Sequence, residues 1–117
     1  MDEKIIIVEG KNDRKRVQKV LNEDVEIICT HGTLSEEKLE TLILPVEDLD
    51  VYILVDADDS GEKLRRQLKR ELPNATHLYT DKDFGQVETT PFEYLAELLG
   101  EYFEVKDPFL NSGLEKF

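Results

Sequence analysis

Cysteine and long apolar runs are almost missing from this sequence. Cys29 is the single cysteine, which excludes an internal disulfide bond and a cysteine-based zinc cluster and favours a reducing compartment. The N-terminal Met-Asp-Glu-Lys precedes only four strongly apolar residues, too few for a signal peptide, and no run approaches the ~20 apolar residues of a membrane span. These absences predict a cytoplasmic protein that is neither secreted nor inserted in a membrane.

Positive charge is also scarce. Fifteen lysines and arginines against 27 aspartates and glutamates give a net charge of −12, which by itself argues against nucleic-acid binding. However, ten of the fifteen basic residues fall in two short segments: Lys11, Arg14, Lys15, Arg16 and Lys19, and Lys63, Arg65, Arg66, Lys69 and Arg70. Two interpretations stay open. The segments are either solvated helix faces with ion pairs such as Glu62 with Arg66, or patches that bind phosphate.

Length and composition predict one globular domain over residues 1–117. The chain has 117 residues, with 39% hydrophobic and 36% charged residues, which is enough for one core and too little for a second domain. The most regular part is expected to span about residues 4–99. Residues 100–117 form a C-terminal extension whose pattern predicts no particular element.

Apolar runs alternate with helical stripes along the whole chain. Four runs predict strands: Ile5–Val8, Val25–Cys29, Val51–Val55 and Ala75–Thr80. Helical spacing between them gives apolar stripes such as Leu64, Leu68 and Leu72. The pattern predicts an α/β fold with a four-stranded parallel sheet and helices on both faces.

Local signals predict where two of the helices begin. Thr33 and Glu36 fit a capping box, and Thr90 with Glu93 fits another, with Pro91 at the first helical position. We expect the last helix to run from Pro91 to about Leu99 and to end at Gly100.

Three carboxylates lie where predicted strands end. Glu9 follows the first apolar run, and Asp56 and Asp58 follow the third, on alternate positions. Oxygen ligands select a hard cation, so the three predict a site for Mg²⁺, with Mn²⁺ as the alternative. They can share one ion only if the first and third strands are neighbours, which predicts the strand order 2-1-3-4. Helix capping by Asp58 or Asp59 is the competing interpretation.

Two of these segments resemble a known family. Ile6–Gly10 (IIVEG) and Val55–Gly61 (VDADDSG) are similar to the two signature motifs of the Toprim domain. Thr30-His31-Gly32-Thr33 is similar to the polar, glycine-containing loop that Toprim proteins place after the second strand. The resemblance covers roughly Lys4 to Leu99 and is strongest to small stand-alone Toprim proteins and to the ribonuclease type that matures ribosomal RNA. It implies a single, compact, Rossmann-like domain.

The resemblance also implies roles for individual residues. Glu9 would be the general acid/base or a metal ligand, and Asp56 and Asp58 would hold Mg²⁺ directly or through waters. Flanking phosphates of a nucleic acid would be held by four basic residues: Lys11, Arg14, Arg65 and Arg66. The implied activity is Mg²⁺-dependent phosphoryl transfer on RNA or DNA, as a nuclease or nuclease subunit.

A second function is also compatible with the resemblance. Toprim modules in recombination proteins bind nucleic acid or a partner protein without cleaving, so a non-catalytic module is the alternative. Topoisomerase and primase activities need further domains, which 117 residues do not accommodate. Other patterns fit less well. The aspartates of haloacid-dehalogenase-type phosphatases and of receiver domains follow the first strand, whereas Asp56 and Asp58 follow the third.

The remaining polar and aromatic residues have plain structural explanations. His31 is expected in an exposed turn, with phosphate contact as the alternative, and His77 is expected as a half-exposed strand residue. The loop residues Asp81, Lys82, Asp83 and Glu88 are expected to be solvated, with a second metal as the alternative. Most aromatic side chains are expected in the core, with base stacking as the alternative for five of them: Tyr79, Phe84, Tyr94, Tyr102 and Phe103.

Overall fold

The computed structural model describes residues 3–106 and contains one parallel sheet. Its four strands are β1 (Lys4–Val8), β2 (Glu26–Cys29), β3 (Asp50–Leu54) and β4 (Thr76–Leu78). Their spatial order is β2-β1-β3-β4, and every pairing is parallel. The predicted strand order is confirmed. Because β1 and β3 are neighbours, the loops that follow them meet at one edge of the sheet.

In the described part of the chain, four α-helices connect or follow the strands. They are α1 (Lys11–Val20), α2 (Glu36–Lys38), α3 (Asp59–Glu71) and α4 (Phe92–Leu99). A π-helical turn (Leu39–Ile43) and a 3-10 turn (Leu44–Val46) continue α2, and a short 3-10 turn (Lys82–Phe84) precedes α4. No helix within residues 3–106 has the length and apolar character needed to cross a bilayer.

The central strand β1 supplies side chains to two cores. Ile6 and Val8 pack with α1 and α4 on one face, whereas Ile5 and Ile7 pack with α3 on the other. All four side chains are fully buried, which explains why β1 is continuously apolar rather than alternating. Helices therefore cover both faces of the sheet, as predicted.

The second helix differs from the prediction. Its N-cap is Ser35, whose hydroxyl accepts a hydrogen bond from the Lys38 amide, so the predicted capping box of Thr33 and Glu36 is wrong. Regular α-helix lasts only three residues before it changes to π-helical and then 3-10 geometry. Pro45, which has no amide hydrogen, lies at the start of the 3-10 turn, where no α-helical hydrogen bond is required of it.

The last helix ends as predicted but begins differently. Pro91 is the N-cap rather than the first helical residue, and the first helical residue is Phe92. The Thr90 hydroxyl donates to the carbonyl oxygen of Gln86 instead of accepting from the helix, so the predicted capping box with Glu93 is wrong. The helix ends at Leu99, with Gly100 as its C-cap.

The described part of the C-terminal extension closes one core. Phe103 and Val105 are buried, and Val105 forms an isolated antiparallel bridge with Leu21 at the end of α1. Residues 100–106 thus pack against the domain. The remainder of the predicted extension, 107–117, lies outside the described residues.

Candidate metal centre

Glu9 is placed by a sharp transition from β1 to α1. The strand ends at Val8, Glu9 follows it, and Gly10 is the N-cap of α1 in extended geometry. The carbonyl oxygens of Val8 and Glu9 accept hydrogen bonds from the amides of Thr30 and His31 after β2. This backbone pairing fixes Glu9 at the carboxyl edge of the sheet while leaving its side chain half-buried.

The loop after β3 places two aspartates beside Glu9. Oδ1 of Asp58 accepts a hydrogen bond of 2.8 Å from the Gly61 amide, so Asp58 is the N-cap of α3. Oδ1 of Asp56 accepts one of 2.9 Å from the Val87 amide. The competing interpretation of Asp58 as a helix cap is therefore correct. It does not remove the residue from the cluster, because its carboxylate still lies beside Glu9 and Asp56.

Gly61 allows α3 to approach the end of β3 very closely. A Cβ atom at this position would lie 1.9 Å from the carbonyl oxygen of Asp56 and 3.1 Å from Oε1 of Glu9. A contact of 1.9 Å with a backbone atom cannot be accommodated without moving the backbone. The absence of a side chain at Gly61 is thus a condition for the present geometry of the cluster.

The three carboxylates form a cluster of the size of a single-ion site. Glu9, Asp56 and Asp58 each offer an oxygen, and these oxygens all lie within 4.8 Å of one another. Oxygens bound to one Mg²⁺ are about 3 Å apart at neighbouring positions and about 4.2 Å apart at opposite ones, so the three carboxylates would have to move closer together or hold the ion partly through waters. The donors are all hard oxygens, which fit Mg²⁺ or Mn²⁺.

Electrostatics favour a cation at this cluster. Burial, together with the charges of Asp56, Asp58 and Asp13, raises the pKa of Glu9 to about 7, although a hydrogen bond from the Asp56 amide partly opposes this shift. Burial, followed by the charges of Asp58 and Glu88, likewise raises the pKa of Asp56 against the hydrogen bond from Val87. A bound divalent cation would relieve this repulsion.

Asp13 is a fourth carboxylate near the cluster that the sequence reasoning did not select. It is buried in the first turn of α1, where Oδ2 accepts a hydrogen bond of 3.1 Å from the Gly10 amide. Burial and the charge of Asp56 raise its pKa to about 6. The three-residue spacing between Gly10 and Asp13 is typical of a helix N-terminus and was the available signal.

The loop after β4 also belongs to the site. In addition to the bond from Val87 to Asp56, the Ala57 amide donates to the carbonyl oxygen of Gly85. The acidic residues of this loop, Asp81, Asp83 and Glu88, are exposed, as expected for a solvated loop. Glu88 accepts a hydrogen bond from Asn12 at the start of α1.

The burial of Arg65 is inconsistent with the predicted phosphate contact. Its side chain is only 2% exposed, and its guanidinium donates to the carbonyl oxygens of Val55 and Leu78 and to Nδ1 of His77. Arginine can only donate, so Nδ1 of His77 is an acceptor and the imidazole is neutral. Burial and the charge of Arg65 lower the pKa of His77 to about 4. The guanidinium is therefore not accessible to a phosphate, and the predicted phosphate contact of Arg65 is wrong.

The other predicted phosphate-binding residues remain accessible. Lys11 and Arg66 are exposed and Arg14 is half-buried, with Lys11 and Arg14 in the first turn of α1 directly after Glu9. His31 is also exposed, in a left-handed backbone conformation (φ 54°). Its backbone amide donates a hydrogen bond of 2.7 Å to the carbonyl oxygen of Glu9.

Fold and site together define a class of protein. It is an α/β domain whose sheet carries three carboxylates at its switch point, where β1 and β3 diverge into opposite crossovers. The chain belongs to the Toprim domain family, whose model matches residues 4–89. The resemblance carried by the Ile6–Gly10 and Val55–Gly61 motifs is thereby confirmed.

Individual relatives agree with this assignment. The chain is 53% identical over 97 residues to the uncharacterized protein YusF of Bacillus subtilis, covering 83% of this chain and 66% of YusF. It is 30% identical over 101 residues to ribonuclease M5 of Fusobacterium nucleatum, covering 80% of this chain and 55% of the ribonuclease. The chain therefore spans less than two thirds of the length of these two relatives.

A solved structure confirms the fold. A small TOPRIM domain protein from Bacillus stearothermophilus superimposes with a TM-score of 0.86 and is 48% identical in sequence. The match covers 94% of each chain. At this level of similarity, the architecture of the two proteins is the same over nearly their whole length.

Proposed function

We propose that this chain is a Mg²⁺-dependent nuclease that cleaves RNA in the cytoplasm. The observation that carries the proposal is the cluster of Glu9, Asp56 and Asp58 oxygens within 4.8 Å of one another at the switch point of the sheet. Similarity to ribonuclease M5 supports RNA as the substrate. The single Cys29, a free thiol, fits a reducing compartment.

Asp56 and Asp58 would hold the metal in this mechanism. Backbone amides of Val87 and Gly61 already orient their carboxylates, which leaves further oxygen lone pairs free for a cation. When bound, Mg²⁺ supplies positive charge that offsets the charge of the phosphodiester and of the oxygen that leaves it. The aspartates thus act as fixed ligands rather than as proton-transfer groups.

Glu9 is the group best suited to transfer a proton. In the metal-free protein, burial and the neighbouring carboxylates raise its pKa to about 7. A cation held by the aspartates would lower this pKa and favour the carboxylate, which is the form that accepts a proton. Its oxygen also lies close enough to the aspartates to complete the ligand set. As the proton-transfer group, Glu9 would take a proton from the attacking water or give one to the leaving oxygen.

Basic residues around the cluster would position the RNA backbone. Lys11 and Arg14 lie in the first turn of α1, and Arg66 is exposed on α3. Their contacts to phosphates would fix the scissile bond relative to Glu9 and would make binding dependent on salt. Because the net charge of the chain is −12, attraction of RNA phosphates would depend on these basic residues and not on the overall charge of the protein.

A second candidate function is binding without cleavage. The chain spans 55% of the Fusobacterium ribonuclease, so the activity of that whole protein does not transfer automatically. In this alternative, the domain binds RNA or a protein partner, and a partner supplies the cleavage. The acidic cluster would then serve metal-dependent binding only.

Cleavage assays separate the two candidates. We would incubate end-labelled structured and single-stranded RNA, and matching DNA, with the wild type, with Glu9→Gln and with the control Glu36→Gln, in Mg²⁺ or in EDTA. Glu36 is an exposed glutamate at the start of α2, so its replacement changes the charge equally. We expect Mg²⁺-dependent RNA cleavage that falls by about 10²-fold or more only in Glu9→Gln.

Calorimetry of the same samples completes the test. Mg²⁺ binding without cleavage of any substrate would favour the binding module. Unchanged cleavage in Glu9→Gln would contradict the role of Glu9, and absence of Mg²⁺ binding in the wild type would contradict both candidate functions.

A further inference from the structure

A groove with an unusual lining lies beside β4 and α4. It has a volume of about 310 Å³ and runs between the segment after β4 and the outer face of α4. Among residues 3–106, its lining includes three aromatic rings and three carboxylates and contains no basic residue: Tyr79, Phe84, Tyr94, Asp81, Glu97 and Glu101. None of these residues belongs to the acidic cluster of the metal centre.

The groove holds the two most exposed aromatic side chains of residues 3–106. Within residues 3–106, the large apolar or aromatic side chains that are markedly exposed are Leu44, Tyr79 and Tyr94. Tyr79 is 55% exposed and Tyr94 is 54% exposed, and both line the groove. Aromatic side chains left in water at one place are typical of an interaction site.

The aromatic rings are held in place by contacts within the domain. The guanidinium carbon of Arg65 lies 4.0 Å from the centroid of the Tyr79 ring, so the buried arginine supports this ring. The Phe84 and Tyr94 ring centroids are 4.8 Å apart, with an interplanar angle of 48°. Binding to preorganised rings costs little side-chain entropy.

The acidic residues occupy the same stripe as one of the rings. Tyr94, Glu97, Leu98 and Glu101 follow at helical spacing along α4 and its C-terminal end, and both glutamates are exposed. Asp81 faces them from the segment after β4. Because the guanidinium of Arg65 already lies over the Tyr79 ring, an incoming cation would stack on Tyr94, on the same helical stripe as the two glutamates. This arrangement combines cation–π attraction with ion pairing.

We propose that this groove binds an arginine-bearing segment of a basic partner protein. The charge of the lining selects the occupant: three carboxylates attract guanidinium groups and repel the phosphates of a nucleic acid, and aromatic faces favour arginine as a stacking partner. The inference does not depend on the proposed cleavage, because the groove and the metal centre share no lining residue.

The test uses a defined probe rather than an unknown partner. A capped hexapeptide of alternating arginine and glycine is titrated into ¹⁵N-labelled full-length protein, and the amide signals that move are mapped. The matching glutamate–glycine peptide and a uridine hexanucleotide are titrated in parallel. We expect the arginine peptide to shift signals of residues 79–84 and 94–101, and we expect no such shift with the other two probes.

Matched variants separate the groove from general charge attraction. Glu97→Gln/Glu101→Gln should weaken peptide binding by about tenfold, since two ion pairs are lost. Glu36→Gln/Glu37→Gln, which removes two exposed carboxylates of α2, should leave binding within about twofold. Tyr94→Leu should weaken it by about threefold through loss of the cation–π contact, and provides a second route if the first variant does not fold.

Several outcomes would overturn the proposal. They are equal weakening in both double-glutamine variants, peptide shifts centred on residues 9 and 56–58, and groove shifts caused by the uridine hexanucleotide. Contacts between residues 107–117 and Tyr94 in the nuclear Overhauser spectrum of the free chain would identify this chain's own C-terminal segment as the occupant. That result would contradict a partner-binding role.

Discussion

Two groups of charged residues lie at the same edge of the sheet, and their charges are compensated in opposite ways. Arg65 is a buried cation, and its guanidinium is engaged by two backbone carbonyls and a neutral imidazole of the protein itself. Glu9, Asp56 and Asp58 carry negative charge, and the hydrogen bonds that orient them come from single backbone amides. The arginine is engaged by the protein through its two terminal nitrogens, although Nε of Arg65 and Nε2 of His77 have no hydrogen-bond partner among the described residues. The carboxylates, in contrast, retain open oxygen lone pairs.

This difference distinguishes a structural charge from a functional one. A buried charge held by protein partners is costly to remove, because its partners are then left unpaired, and it is not accessible to a ligand. A group of carboxylates that repel one another and raise each other's pKa is instead prepared for a cation from outside. The candidate metal centre therefore lies with the carboxylates, and Arg65 contacts the ends of the two strands beside them through the carbonyl oxygens of Val55 and Leu78.

The largest effect is expected at the cation. Replacing Arg65 by methionine leaves the carbonyl oxygens of Val55 and Leu78 without their donor in a buried place. We expect the free energy of unfolding to fall by about 4 kcal/mol, as measured by urea denaturation. The control is Arg66→Met on the same helix, where the exposed side chain should change stability by less than about 0.5 kcal/mol. Equal effects of the two variants would contradict the structural role of Arg65.

The second largest effect is expected at Gly61, where α3 approaches the end of β3. Gly61→Ala forces a Cβ atom to within 1.9 Å of the Asp56 carbonyl oxygen, so α3 and the end of β3 must separate. We expect a loss of about 3 kcal/mol in urea denaturation, together with weaker Mn²⁺ binding in calorimetry. Gly10→Ala is the matched control, since its Cβ would meet only Oδ2 of Asp13 at an ordinary 3.7 Å. A tolerated Gly61→Ala would show that the close approach is not required.

The smallest effect is expected from the titration of Glu9. Its pKa is raised in the folded, metal-free protein from 4.5 to about 7, so the folded state binds more protons than the unfolded state between these values. Stability contributed by Glu9 is therefore present at low pH and is lost as the pH rises from about 4.5 to 7. Because the side chain is partly solvated, we expect about 1 kcal/mol.

The difference between the wild type and Glu9→Gln isolates this effect. In EDTA, the unfolding free energy of the wild type relative to Glu9→Gln should decrease across this pH window, and Mg²⁺ should reduce the decrease. A relative stability that is flat or rises with pH would contradict the raised pKa.

The main parts of the fold were accessible from the sequence because they rest on simple patterns. The continuous apolar runs around Ile5–Val8 and Val51–Val55 predict buried parallel strands, and the carboxylates that follow them predict their adjacency. Helix starts at Thr33 and Thr90 were predicted less well. The capping pattern is short and occurs in competing registers, and the structure uses Ser35 and Pro91 instead.

The role of Arg65 could have been found but was not. Arg65 lies on the apolar stripe of α3 rather than on its solvated face. The stripe follows from helical spacing of five residues: Gly61, Leu64, Arg65, Leu68 and Leu72. The basic residues around Arg65 in sequence instead suggest a solvated or phosphate-binding face. The contact of Val87 with Asp56 was not accessible in this way, because it depends on the path of a loop that no sequence period describes.

The central claim is that Glu9, Asp56 and Asp58 form one divalent-cation site. A crystal structure of the protein with Mn²⁺, using the anomalous signal of the ion, tests it most directly. We predict one Mn²⁺ peak within about 2.2 Å of carboxylate oxygens from this cluster, or one water further away, and its loss in Asp56→Asn/Asp58→Asn. A peak bound elsewhere, or a cluster that stays without metal at saturating Mn²⁺, would contradict the account.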